Sequence, residues 1–238
     1  MKIEKSIAFV TGANRGIGQA LVEALVDHGT IKVYAAMRNI NSSPFGKSGR
    51  IVPVALDVTD ESSIAAAAKL AGDATILFNN AGVLDFGSIL DTPMAQVRRN
   101  MDTNYYGKLA MARAFVPVIA KNGGGAIINT LTLVALASMP SLSVYNASKA
   151  AAWSMTQSMR ASLVGKNIAV HGVFPGAVDT DMLKGVEMPK TSPQDVALAI
   201  LKGVNDRQED IFPDAMSQQI YSAWTVDHKA VERQFATM

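Results

Sequence analysis

Residues 6–18 read SIAFVTGANRGIG. The run Ser6 to Thr11 is apolar and β-type. It passes without a spacer into Gly12-Ala13-Asn14-Arg15-Gly16-Ile17-Gly18 and then into a helical-period stretch, Ile17 to Asp27. A strand, a glycine turn and a helix start form a setting in which backbone N–H groups and the helix dipole can receive a pyrophosphate. The glycines are spaced Gly-x-x-x-Gly-x-Gly, which departs from the Gly-x-Gly-x-x-Gly fingerprint. A tight strand-to-helix turn with no ligand is the other reading of these residues.

Working outward, β-type runs recur at Ile31 to Met37, Ile51 to Leu56, Thr75 to Asn79, Ala126 to Thr132 and Ile168 to Phe174. Between them, helical periods fit Glu61 to Leu70, Ala95 to Lys121 and Ser143 to Val164, with Pro117 expected to bend or shorten the second of these. Strands alternating with helices, apolar at nearly every position, predict parallel strands covered on both sides. The expected fold is therefore α/β: a single-domain, Rossmann-type doubly wound parallel sheet with helices on both faces. No repeat or composition break divides residues 1–238, so one domain is expected, with a nucleotide half at about 1–125 and a catalytic and substrate half at about 126–238. The pattern loosens from Pro175 to Pro193, a candidate substrate lid. It resumes as a helix from Pro193 to Val204 and a short strand around Ile211 and Phe212.

Bulk properties narrow the function classes. The 238 residues are 49% hydrophobic and 18% charged, the balance of an ordinary globular chain. A net charge of +2 with scattered cations argues against nucleic acid as a partner. The absence of cysteine excludes disulfides and thiolate chemistry. No apolar run approaches the ~20 residues of a membrane span, and the opening residues lack the pattern of a secretory signal, so a cytoplasmic protein without a membrane partner is expected. His28, His171 and His228 show no ligand spacing, so no metal is expected.

Tyr145-Asn146-Ala147-Ser148-Lys149 opens a predicted helix, where a four-residue step returns to nearly the same face. An ammonium beside a phenol favours the phenolate, lowering the tyrosine pKa and making it a usable proton donor and acceptor. Such a pair alone also occurs by chance on surfaces. It gains specificity from Asn79-Asn80-Ala81-Gly82 after the fourth strand and Pro175-Gly176-Ala177-Val178-Asp179-Thr180 after the sixth. With these motifs in order from about Ser6 to Met182, the chain resembles the short-chain dehydrogenases/reductases.

The resemblance implies that Tyr145 is the general acid in reduction and that Lys149 holds the nicotinamide ribose and depresses the tyrosine pKa. It implies that Asn104, in Asn104-Tyr105-Tyr106-Gly107, anchors a proton-relay water. Where the family usually has serine, thirteen residues before the tyrosine, this chain has Thr132. Its hydroxyl can still polarise a carbonyl, with a stiffer χ1 and less room beside it; Thr130 and Ser138 are nearby alternatives. The implied dinucleotide contacts are Gly12, Asn14, Arg15, Gly16, Ile17, Gly18, Arg38, Asp57, Val58, Asn80, Ala81, Gly82, Tyr145, Lys149, Pro175, Gly176, Val178 and Thr180. Among these, Asp57 meets the adenine and Thr180 fixes the carboxamide.

The end of the second strand, Ala35-Ala36-Met37-Arg38-Asn39, carries no carboxylate to repel a 2′-phosphate, and Arg38 offers a planar charged fork. With Arg15 in the glycine turn, this predicts NADP(H) as cofactor; two solvated surface arginines are the plainer account. Leu84, Phe86, Val134, Leu136, Met139, Leu142, Met182, Leu183 and Met188 are candidate pocket walls, although core packing explains each as well. The expected activity is NADP(H)-dependent reduction of an apolar aldehyde or ketone, or the reverse, on a small-molecule substrate. The alternative is a catalytically idle NADP(H)-binding sensor or scaffold. A homodimer through the helices of Tyr105 and Tyr145 follows from the resemblance. The end of the chain, Glu209-Asp210-Ile211-Phe212-Pro213-Asp214, departs from the tetrameric relatives, leaving a tetramer open.

Overall fold

A computed structural model describes residues 2–46 and 49–238. Seven strands, β1 (Ile7–Thr11), β2 (Lys32–Met37), β3 (Ile51–Ala55), β4 (Ile76–Asn79), β5 (Gly125–Thr130), β6 (Ile168–Val173) and β7 (Asp210–Ile211), form one sheet in the order β3-β2-β1-β4-β5-β6-β7. Every pairing is parallel. Around the sheet lie α1 (Gly16–Asp27), α2 (Glu61–Leu70), α3 (Met94–Met101), α4 (Gly107–Lys121), α5 (Ser143–Leu163), α6 (Pro193–Asn205), α7 (Ala215–Val226) and α8 (His228–Phe235). This is the doubly wound Rossmann-type fold expected from the alternation of strands and helices.

The pleat explains the continuous apolar strands. In β1, Ala8 and Val10 point into a core shared with Leu21 and Leu25 of α1 and Val196 and Ile200 of α6. Phe9, between them, points to the other face, against Phe115 and Ile119 of α4 and Ile64 of α2. Both faces are covered, so each position must be apolar. Helix starts follow local chemistry: the Asp60 side chain accepts from the amides of Ser62 and Ser63, and Ser192 caps α6 ahead of Pro193.

The long helix expected from Ala95 to Lys121 is interrupted, but not at Pro117. It runs on past Pro117 to Lys121, while Asp102–Tyr106 forms a single π turn between α3 and α4. At the other end of the chain, α7 and α8 were not foreseen. Of the two, only α8 has a polar sequence, with Val231 and Phe235 buried, whereas α7 is rich in apolar residues and sets Met216, Ile220 and Trp224 against the same cluster.

The chain order reverses between β1 and β4, the crevice in which open α/β sheets bind ligands at the carboxyl ends of their strands. Thr11 and Asn79 end those strands side by side, so the glycine turn and Asn80-Ala81-Gly82 emerge together.

Candidate active site

The glycine turn is held from its neighbour. The Asn80 amide donates to the Thr11 carbonyl at 3.0 Å, and the Ala81 N–H donates to Thr11 Oγ1 at 2.9 Å. Gly12 and Gly16 have φ of +66° and +54°, a region unfavourable for side chains. A methyl group at Gly18 would overlap the Gly12 carbonyl, and one at Gly16 would lie 2.9 Å from Thr180 Cγ2. Arg15, the residue before α1, is extended and gives no side-chain cap. The first amides of α1 thus face the crevice without a protein acceptor from that residue, an arrangement suited to phosphate.

One cavity of about 720 Å³ collects the predicted site residues. It is lined by Gly12, Asn14, Arg15, Gly16, Ile17 and Gly18 from the glycine turn and by Arg38, Asp57 and Val58 from the ends of β2 and β3. Asn80, Ala81 and Gly82 follow β4, Thr132 follows β5, Tyr145 and Lys149 come from α5, and Pro175, Gly176, Val178 and Thr180 follow β6. Leu84, Val134, Met139, Leu142, Met182, Leu183 and Met188 also line it. Phe86 instead lies on the surface, 54% exposed, and Leu136 packs into the cluster of Leu131, Ala152 and Phe174.

Asn104 stands behind the cavity wall, in the π turn. Its Oδ1 accepts from the Val83 N–H at 3.0 Å, and its Nδ2 donates to Val83 O at 2.9 Å and Ser148 Oγ at 3.0 Å. The extra residue of a π turn re-aims a side chain without breaking the helix, and here it aims an amide between the β4 loop and α5.

Tyr145, Lys149 and Thr132 are all buried. Burial pushes the Tyr145 hydroxyl up, and a hydrogen bond with Thr132 pulls the other way. Burial brings Lys149 down to about 7. The expected lowering of the tyrosine by the lysine is thus not what the structure shows. The ammonium lies 5.5 Å from the Tyr145 ring centre, is directed at the Thr130 carbonyl at 3.0 Å, and is charged only part of the time near neutral pH. Desolvation of the phenolate therefore wins.

Lys149 has a consequence for stability. Its folded pKa, about 7, lies below the ordinary 10.5, so between those values the unfolded chain binds more protons and stability rises with pH. The burial penalty is complete below the lower value and gone above the upper one. In urea unfolding at pH 7 and pH 9, the unaltered protein should gain roughly 2 kcal/mol over Lys149→Met between the two conditions. Parallel changes in both proteins would contradict the buried, depressed lysine.

Sequence reasoning missed Lys108. It is fully buried in α4, donating to the carbonyls of Asn79 and of Ala81 (3.1 Å), beneath the Asn80-Gly82 loop. Burial, then the proximity of Lys149, holds its pKa well below the usual lysine range. The signal was present: Lys108 sits on the apolar stripe of Met111, Ala112, Phe115 and Ile119, a cation where a helix faces the core. Arg15 makes an exposed ion pair with Asp181 at 3.1 Å, each side chain 65% exposed. Such a pair contributes about 0–1 kcal/mol, so it competes weakly for the arginine. Among the described residues, no three His, Asp or Glu side chains cluster as a metal site, and no helix is long and apolar enough to cross a membrane.

A glycine turn and an uncapped helix at the switch point, with a tyrosine, a lysine and a threonine beside them, form the frame of a dinucleotide-linked oxidoreductase. The short chain dehydrogenase family model matches residues 6–190. The 7alpha-hydroxysteroid dehydrogenase of Escherichia coli is 30% identical over 227 residues, covering 84% of this chain and 88% of that one. A short chain dehydrogenase from Burkholderia cenocepacia, solved in complex with NADP, superposes with a TM-score of 0.95 at 38% identity, covering 99% of both chains. One from Burkholderia phymatum, in complex with NAD, reaches a TM-score of 0.84 at 22% identity, covering 98% of this chain and 96% of that one, a likeness of fold. The chain belongs to the short-chain dehydrogenase/reductase family and is an oxidoreductase of that family.

Proposed function

We propose that this protein is an NADP(H)-dependent carbonyl reductase, acting on an apolar aldehyde or ketone and, with the cofactor oxidised, on the corresponding alcohol. The observation that carries the reading is the single cavity in which Tyr145, Thr132 and Lys149 meet the glycine turn and Arg38. Bound there, a reduced nicotinamide supplies the hydride. The chain's residues do the rest. The Tyr145 and Thr132 hydroxyls, both on the cavity wall, take the substrate oxygen between them, Tyr145 delivering the proton and Thr132 a hydrogen bond. Charge developing on that oxygen is stabilised by these two donors, whose side chains are themselves buried. Lys149 holds the ribose beside Tyr145, and the family water relay runs behind Gly82, where Asn104 is fixed.

For cofactor choice, Arg38 is the supporting residue: it follows the end of β2 on the cavity wall, near Asp57, whose carboxyl is held low chiefly by Thr59 and only in smaller part by Arg38. The methionine- and leucine-rich wall supports an apolar substrate. A cytoplasmic homodimer and a single domain over the whole chain belong to the same proposal. The test is a panel of aldehydes and ketones followed by loss of NADPH absorbance. Turnover of apolar members is expected, whereas tight NADPH binding with no turnover on any of them would favour the idle sensor.

A further inference from the structure

Beyond the residues that face the cavity, one buried carboxylate is tied to it from the far end of the chain. Asp214 is 4% exposed. Its Oδ1 accepts from the Ser217 N–H at 2.8 Å, and the Ser217 hydroxyl accepts from the Asp214 N–H at 3.3 Å, a reciprocal cap on α7. Its Oδ2 is free of that duty and accepts from the Gly176 N–H at 2.8 Å, across 38 residues. Gly176 belongs to the Pro175-Gly176 turn on the cavity wall.

That turn is gripped from the opposite side as well. The Leu133 N–H donates to the Pro175 carbonyl at 3.0 Å, and Thr132 Oγ1 lies 3.5 Å from the same oxygen. There is no slack between the two grips. A Cβ at Gly176 would stand 2.8 Å from Asp214 Oδ1, 3.1 Å from Leu133 Cδ2 and 3.1 Å from Met216 Sδ. Val231 and Phe235 of α8 pack on Leu133, Val134 and Tyr145 in the same corner. A shift of α7 therefore moves the backbone beside the reacting groups.

We propose that Asp214 is a positioning residue for the nicotinamide end of the cofactor site: one carboxylate both caps α7 and tethers Gly176, fixing the Pro175-Gly176 backbone against Thr132. The inference rests on the NADP(H) reading above. Asp214 does not line the cavity and acts through Gly176, which does. A carboxylate suits the double task because it offers two acceptor oxygens to two N–H donors, and a charged acceptor makes the stronger bond.

Asp214→Ser separates the two duties. Serine caps a helix about as well as aspartate but has one oxygen on a shorter arm, so the cap is kept and the tether lost. Dissociation constants are measured by fluorescence and calorimetry for NADPH and for adenosine 2′,5′-bisphosphate, which carries no nicotinamide. The expected result is NADPH affinity weakened about tenfold with adenosine 2′,5′-bisphosphate unchanged. Ser217→Ala, which strips one half of the cap and leaves the tether, should lower the melting temperature and leave both affinities alone. Should Asp214→Ser fail to fold, Asp214→Asn preserves the shape and one acceptor oxygen and should show the same split to a smaller degree. Equal weakening of both ligands, or of neither, overturns the inference while leaving the cofactor reading in place. An unaltered protein that binds no NADPH overturns both.

Discussion

Replacing Tyr145 with phenylalanine should lower carbonyl turnover about a hundred- to ten-thousand-fold, the usual contribution of a positioned proton donor. The fold should not suffer. The ring stays packed among Leu133, Val134, Val231 and Phe235, and the substitution removes only the hydroxyl, whose ionised form burial already disfavours. NADPH binding should therefore remain within a few-fold of the unaltered protein, which separates lost chemistry from lost structure. Stopped-flow or steady-state NADPH absorbance on a substrate found in the panel reads the rate, and NADPH fluorescence reads the binding. Turnover by Tyr145→Phe within tenfold of the unaltered protein would remove the tyrosine from its role and, with it, the proposed mechanism.

Arg38→Asp should invert cofactor preference. The substitution removes a charge-assisted donor of about 1.5–3 kcal/mol and puts a carboxylate where a 2′-phosphate would lie, so NADPH affinity should fall by about a hundredfold or more. NADH has hydroxyls at that place, which a carboxylate can accept, so its affinity should hold or rise. Arg38 is exposed, so its replacement leaves the core intact and the fold is not at stake. Dissociation constants for the two reduced cofactors before and after the change decide it. An unchanged ratio would leave Arg38 a solvated surface residue and transfer the question to Arg15, whose pairing with Asp181 is weak enough to yield.

The Asp57 carboxyl sits beside this arginine and is held low chiefly by the hydroxyl and amide of Thr59. It therefore stays charged over the working range and partly neutralises Arg38 at the same wall. Its hydrogen bonds to Thr59 satisfy its local turn without a ligand, and Leu56 and Val58 line the cavity beside it.

What could be read from the chain itself is what short contiguous stretches encode. The apolar run before Gly12, the glycines that allow positive φ, the one-turn step from Tyr145 to Lys149 and the alternation of strand and helix are local facts. They determined a doubly wound sheet and the position of its crevice, and the dinucleotide contacts expected from the motifs all line the cavity, whereas Arg98, Arg99, Asp102, Thr103 and Met216, which line it too, belong to no motif. Thr132 was picked by its spacing from Tyr145, and both residues line the same cavity. The π turn that holds Asn104 was not legible, because Asp102–Tyr106 contains no proline or glycine to mark a break between α3 and α4.

Other features were decided only by the packed molecule. The direction of the Tyr145 pKa depends on how much water folding removes, a quantity no pair of residues carries in its spacing; the motif suggested a lowering and the buried site gives a rise. Lys108 became a prop for the Asn80-Gly82 loop because α4 crosses beneath β4. The helices α7 and α8 joined the corner of Leu133 and Tyr145 because Met216, Ile220 and Trp224 of the one and Val231 and Phe235 of the other pack there. Local conformation is written in neighbouring residues, whereas desolvation and long-range hydrogen bonds, such as that between Asp214 and Gly176, exist only once distant segments have closed on one another.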